Sequence, residues 1–347
     1  MCSSPTAIWK RVDTMKEMRD FSQPRVVAIG GGTGLSTMLR GLKRFTSRIT
    51  AIVTVADDGG GSGVLRQELG MLPPGDIRNC ICALANVEPT MDELMRYRFS
   101  EGRLSGQSMG NLMLAALNGI YGSFEEAVRR MSEVFAITGR VLPVTTENVR
   151  LMAEFDDGST VIGESKIAGV KAGTDRRIRR VQLLPERPAA VPAVFEAIEE
   201  ADFIIIGPGS LYTSIMPNLI TDGVAAAIAR SGAVKLYIMN VMTQDGETEG
   251  YTEVDHVRAL FDHSGEKLFD LSLANNMPFP EEILQAYAAE GAEPVKQCPE
   301  ELRKMGVTPH YAPLARVSGG LVRHNPDALA REALWLYRAY AQTQIYR

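Results

Sequence analysis

Four cysteines, four histidines and two tryptophans are all that 347 residues contain of these types, and no apolar run approaches the ~20 residues of a membrane span. Four thiols are too few for a disulfide framework. Cys80 and Cys82 stand two apart in a segment of helical spacing, so they point to different sides and cannot clamp a metal between them. Free buried thiols in a reducing compartment are the expectation. His256, His263, His310 and His324 lack metal-ligand spacing, and each reads as a surface or helix-end residue. No Ser-His-Asp order announces a nucleophilic triad. An excess of positive charge is missing too: 37 Lys+Arg against 42 Asp+Glu leaves −5, which argues against a nucleic-acid backbone as partner. The first twenty residues carry charges throughout and no apolar core of a secretion signal. A cytoplasmic protein with no membrane span is expected.

What is present suits a globular enzyme or binding protein. Hydrophobic residues at 45% and charged residues at 23% allow a sizeable core. Residues 1–23 read as an extension ahead of the fold, and 24–347 as one interrupted α/β domain with an insertion around 91–180. The domain opens with the apolar strand Arg25 to Ile29, a glycine turn, a helical segment with Leu35, Met38, Leu39 and Leu42 in register, and a second strand from Ile49 to Val55. Strand, glycine turn, helix, strand is the opening unit of a parallel sheet. The pattern returns at Phe203 to Gly207, Lys235 to Asn240 and in KLFDLSLANN. Between them lie a helical stretch and a hairpin signalled by Asp157-Gly158, with IRRVQLL as its neighbour. The predicted class is a three-layer, Rossmann-like α/β/α fold, mainly parallel, with a helical insertion and a β-hairpin addition.

Four stretches carry candidate chemistry. Gly30-Gly31-Gly32-Thr33-Gly34 lets the backbone approach a ligand closely, ahead of a helix whose first N–H groups are unpaired. It is neither a dinucleotide fingerprint, whose third glycine would fall on Leu35 or Thr37, nor a P-loop, since no Lys-Ser/Thr pair follows. Asp57 and Asp58, in ADDGGGSG after the second strand, stand where an acidic residue reaches a ribose or a divalent cation. In LPPGDIRN, Asp76 can cap a helix, act as a general base or hold a metal, with Arg78 paired to it or to phosphate. Asn111, in SMGNL, opens another helix and is similarly open. In GPGSLYTS, Gly207 and Gly209 precede the hydroxyls of Ser210, Thr213 and Ser214. The plain alternative for each stretch is a connector or a cap; two glycine-bearing strand ends together suit a diphosphate.

These motifs, with YRF at Tyr97 to Phe99, ADFIIIGPGSLYTSIMPNLI and NVMTQDGETEGYT, resemble the gluconeogenesis-factor family, the YvcK-type proteins in the superfamily of 2-phospho-L-lactate transferase (CofD). The resemblance runs from about Arg25 to the C-terminal helix. It implies a Rossmann-like fold, binding of a UDP-sugar such as UDP-N-acetylglucosamine, and a role in cell shape and cell-wall precursor supply during gluconeogenic growth. By the same resemblance Gly31, Gly32, Thr33, Gly34 and the GPGSLYTS loop surround the diphosphate. Asn218, Tyr287 and Arg323 match UDP-sugar positions, with Arg316 close by, and Asp76 matches the acid beside the transferases' acceptor. If the protein is an enzyme, Asp76 is its catalytic residue, and Mg²⁺ held by Asp57, Asp58 and Asp76 accompanies the nucleotide. A homodimer and regulatory protein partners are expected. The sequence departs from the family at Gly61, Val64 and Gln107, where Ser, Arg and His are common; without that Arg the ADDGGGSG loop grips phosphate less strongly.

Overall fold

The computed structural model describes residues 23–170 and 176–345; nearly all of the N-terminal extension lies outside the described residues. Strands β1 (Val26–Gly30), β2 (Ile49–Val53) and β3 (Arg140–Pro143) begin the main sheet. An antiparallel unit follows, made of β4 (Arg150–Phe155), β5 (Thr160–Ile162) and β6 (Ile178–Leu184). The main sheet resumes with β7 (Phe203–Ile206), β8 (Val234–Ile238), β9 (Leu271–Asn275) and β10 (Thr308–Ala312), and β11 (Ala315–Ser318) with β12 (Leu321–His324) forms a separate ribbon.

The main sheet has the order β10-β9-β8-β7-β1-β2-β3, and every neighbouring pair is parallel. Its central strands are uninterrupted apolar runs, VVAIG, ITAIV and FIII, with every residue buried. Such runs are what a sheet covered on both faces demands, because neither side of the pleat meets water. Helices supply the cover: Gly32–Leu42 turns Leu35, Met38, Leu39 and Leu42 inward and packs against Gly75–Leu84 and the C-terminal Pro326–Ile345.

The chain winds outward from β1 through β2 and β3, then starts again at β7 and winds the other way through β8, β9 and β10. The reversal lies between β1 and β7, and a crevice opens at the carboxyl ends of strands at such a point. The predicted boundaries shift slightly. β2 stops at Val53 rather than Val55. Thr54, whose N–H still donates to the Gly30 carbonyl at 3.1 Å, faces the crevice.

Between β2 and β3 stand the helices Gly60–Leu69, Gly75–Leu84, Pro89–Arg96, Met109–Tyr121 and Phe124–Val134. Asp157-Gly158 forms the turn between β4 and β5, and β6 pairs with β4 on its other edge, as the hairpin signal predicts. Cys80 and Cys82 are buried free thiols on one helix.

Candidate functional site

A cleft of about 440 Å³ lies over the carboxyl ends of β1, β2, β7 and β8, and the ribbon β11–β12 forms one of its walls. Its floor is the meeting of the two glycine loops. A Cβ on Gly34 would lie 2.5 Å from the Pro208 carbonyl oxygen, so only glycine allows the β1 and β7 loops to touch there. A Cβ on Gly31 would stand 2.6 Å from Asp76 Oδ2, so glycine also admits that carboxyl. Gly31, Gly32, Thr33, Gly34, Gly209, Ser210, Thr213 and Ser214 all line the cleft, as do Asp57, Asp76, Tyr287 and Arg323.

Other expected site residues stand elsewhere. Asn218 is fully buried behind the floor, where its Nδ2 donates to the carbonyls of Gly30 (3.0 Å) and Ser214 (2.9 Å); it ties the two loops together and does not reach the cavity. Gly207 directly follows β7, one residue behind the lining. Asp58 accepts from the Ser165 N–H at 2.9 Å and docks the antiparallel unit. Arg316 lies opposite Arg323 in the ribbon but outside the cavity lining. Pro74, not Asp76, precedes the Gly75–Leu84 helix, and Asp76 instead accepts from the Gly32 N–H. Arg78, two residues on, turns away from the cleft and forms no ion pair with Asp76 among the described residues.

The β7 loop is fixed from beneath. Glu247, fully buried, accepts from the Tyr212 N–H at 3.2 Å and the Thr213 hydroxyl at 2.8 Å. Thr213 therefore spends its proton on Glu247 rather than on a ligand. Ser210 accepts from Gln244 Nε2 at 2.9 Å and keeps its own proton to donate. Opposite, the Tyr287 hydroxyl accepts from the Val322 N–H at 2.8 Å and pins the ribbon beside Arg323.

The two ends of the cleft differ in character. Asp57, Asp76 and Glu164 gather at one end, Glu164 brought over by the antiparallel unit. Burial, then the neighbouring Asp57, pushes the Asp76 carboxyl up to about 7. The same two causes, in that order, push Glu164 up to about 8. Among the described residues no three His, Cys, Asp or Glu side chains form a ready metal cluster. At the other end lie Val241, Met242, Tyr287, Val322, Arg323 and His324. Burial holds His324 at about 4, a neutral ring, and both His256 and His324 are interior rather than surface residues.

Sequence reasoning missed Thr37, Thr54, Glu164, the Asn240 to Gln244 segment, Val322 and His324. NVMTQDGE held a signal for one group of them, since it follows a third parallel strand end in the same sheet.

A doubly wound sheet whose switch-point crevice is built from two glycine-bearing loops defines a class, and the comparisons place the chain within it. The family model described as 2-phospho-L-lactate transferase CofD matches residues 26–315, and the chain belongs to that family. Its relatives there are gluconeogenesis factors. That of Bacillus subtilis is 47% identical over 309 residues, covering 89% of this chain and 96% of the relative. That of Halalkalibacterium halodurans is 46% identical over 315 residues, covering 90% and 97%. The crystal structure of a UPF0052-family protein from Bacillus halodurans superposes with a TM-score of 0.86 at 45% identity, over 90% of this chain and 99% of that one.

Proposed function

We propose that the cleft binds a nucleoside-diphosphate sugar, with a UDP-sugar such as UDP-N-acetylglucosamine the first candidate, and that the protein is a regulatory binding module for growth on gluconeogenic carbon sources, where it serves cell shape and cell-wall precursor supply. The observation that carries this reading is the contact of the β1 and β7 loops at the switch point, with Gly31 to Gly34 and Gly209 to Ser214 on one floor. Backbone N–H groups at two strand ends and the following helix suit a diphosphate. The apolar end, with Tyr287 and Met242, suits a base, and the acidic end suits sugar hydroxyls. The relatives' name, gluconeogenesis factor, supports the physiological part.

Isothermal titration of the full chain with UDP-N-acetylglucosamine tests the reading, and no heat at millimolar ligand would overturn it. Arg323 lines the cleft and is the cation expected to meet ligand charge. Arg323→Ala should weaken binding by about 1.5–3 kcal/mol, the range of a charge-assisted hydrogen bond.

The acidic end favours a second reading, an Mg²⁺-dependent transfer of a phospho-containing group as the CofD family name suggests. The raised carboxyls of Asp76 and Glu164 fit a place that lacks positive charge. Asp57 and Asp76 would hold the cation, which would neutralise the diphosphate. Product formation from donor, Mg²⁺ and acceptor, lost in Asp76→Asn, would establish it.

A further inference from the structure

Arg78 is a poorly accommodated charge: it is 8% exposed, its buried Nε has no hydrogen-bond partner, and among the described residues its guanidinium is in no ion pair. Its stem runs beneath the insertion, where a Cβ on Gly110 would lie 2.9 Å from Arg78 Cδ and 2.8 Å from Met95 Cε. A buried guanidinium with an unpartnered N–H is costly, and an anion beside it would lower that cost.

The surroundings increase the need. Arg78 stands in the positive field of Arg98 and Arg96, with Asp76 the opposing charge, and Arg40 in that of Arg96 and Arg316, with Asp92 opposing. Asp92 is the acid on this face, and Arg96 takes it through Nε and Nη2 at 2.7 and 2.8 Å. Arg96 Nη1 remains, as do Arg98 Nε and Nη2, since Arg98 commits only Nη1, to the Gly106 carbonyl. This concentration of guanidinium sits on a chain whose net charge is −5, so it is local and not a general basicity. It is also separate from the cleft, whose lining includes none of these arginines.

We propose that Arg78, Arg96 and Arg98 form a second anion site that receives a phosphoryl group between the Gly75–Leu84 helix and the helical insertion. A carboxylate offers one charge and two coplanar oxygens. A phosphoryl dianion offers two charges and three oxygens at tetrahedral angles, which suits the N–H groups left over on Arg78, Arg96 and Arg98. The recessed position of Arg78 favours a group inserted end-on over a flat surface. The group arrives free or as a monoester, and the two are separable by experiment.

Phosphorus NMR titration of the full chain with inorganic phosphate and, separately, with O-phosphoserine is the test, on wild type and on Arg96→Gln/Arg98→Gln. Both substitutions lie at exposed positions. At least tenfold weaker binding in the double variant is expected, and the tighter of the two probes identifies the source. Equal binding in wild type and variant, or displacement of phosphate by UDP-N-acetylglucosamine, overturns the site; the latter would place the phosphate in the cleft. The double variant decides the question even if the sugar nucleotide itself fails to bind. Arg78→Met supplies an independent readout. An anion-site arginine predicts a Tm in phosphate-free buffer no lower than wild type and no further rise on adding phosphate. A lowered Tm with the phosphate response intact would make Arg78 a structural residue and overturn its role.

Discussion

Asp76 and Glu164 bring negative charge to a cleft proposed to take an anion, and their protons decide how well it does so. Both carboxyls are raised by burial and by Asp57, Asp76 to about 7 and Glu164 to about 8. Below pH ~6 both hold protons and the cleft end is less negative; above pH ~9 both are ionised and repel a diphosphate. Without divalent cations, UDP-sugar affinity should fall by about tenfold or more between those limits. Titrations in buffers of different ionisation heat should show proton uptake near pH 7.5, and Mg²⁺ should flatten the profile. The stability sign follows from linkage. A carboxyl raised in the fold stabilises below its ordinary range, and that contribution is lost as pH rises through the folded value. Asp76→Asn should therefore raise Tm more at pH 8.5 than at pH 5, with a difference of about 1–3 kcal/mol, the desolvation range of a buried polar group. An equal gain at both pH values would show that Asp76 does not titrate in this window. Asp76 was legible because it follows a rigid Pro-Pro-Gly turn. Glu164 was not, since nothing local in GES shows that the antiparallel unit docks on the Asp57-Asp58 loop after β2.

Strand ends and loops were the most readable level. Uninterrupted apolar runs identified β1, β2 and β7, and the glycines after β1 and β7 located the floor of the cleft. Their adjacency was not readable, because over a hundred residues separate β1 from β7 and only sheet order makes them neighbours. Gly34→Ala tests that adjacency. The new methyl would overlap the Pro208 carbonyl, a backbone atom that cannot rotate aside. We expect a loss of about 1–3 kcal/mol in stability, the cost of overpacking, together with at least tenfold weaker UDP-sugar binding. Thermal denaturation and calorimetric titration measure the two effects, and wild-type affinity in a folded variant would dissociate the loop contact from the site. Asn218 illustrates the limit of motif reasoning. Its position in PNL matched a ligand residue, yet its Nδ2 goes to the Gly30 and Ser214 carbonyls and the side chain is fully buried.

The whole molecule is acidic, and both anion sites argued above rest on local arrangement rather than on overall charge. Among the described residues no helix is long and apolar enough to cross a membrane. The C-terminal helix Pro326–Ile345 is remote in sequence from the cleft but packs on Gly32–Leu42, whose N-terminus is part of the floor. It buries Leu329, Ala330, Ala333, Leu334, Leu336 and Tyr337. Removing residues from Pro326 onward should cost several kcal/mol, at about 1.5–3 kcal/mol for each large side chain uncovered, and should abolish UDP-sugar binding together with the cooperative melt. A truncated chain that melts and binds as the full one does would sever this connection. The helix itself was legible from its amphipathic pattern after Pro326; its partner was not, because an apolar stripe does not specify the surface it meets.

The ribbon places Arg316 directly across from Arg323. Like charges facing one another across two strands push them apart, and mobile ions relieve that push. Added sodium chloride should thus calm the ribbon when the cleft is empty while blunting the pull of Arg323 on an incoming anion. Ionic strength then steadies the wall while it weakens the hold on the guest, and hydrogen exchange at Val322 and ligand affinity should both fall along one salt series.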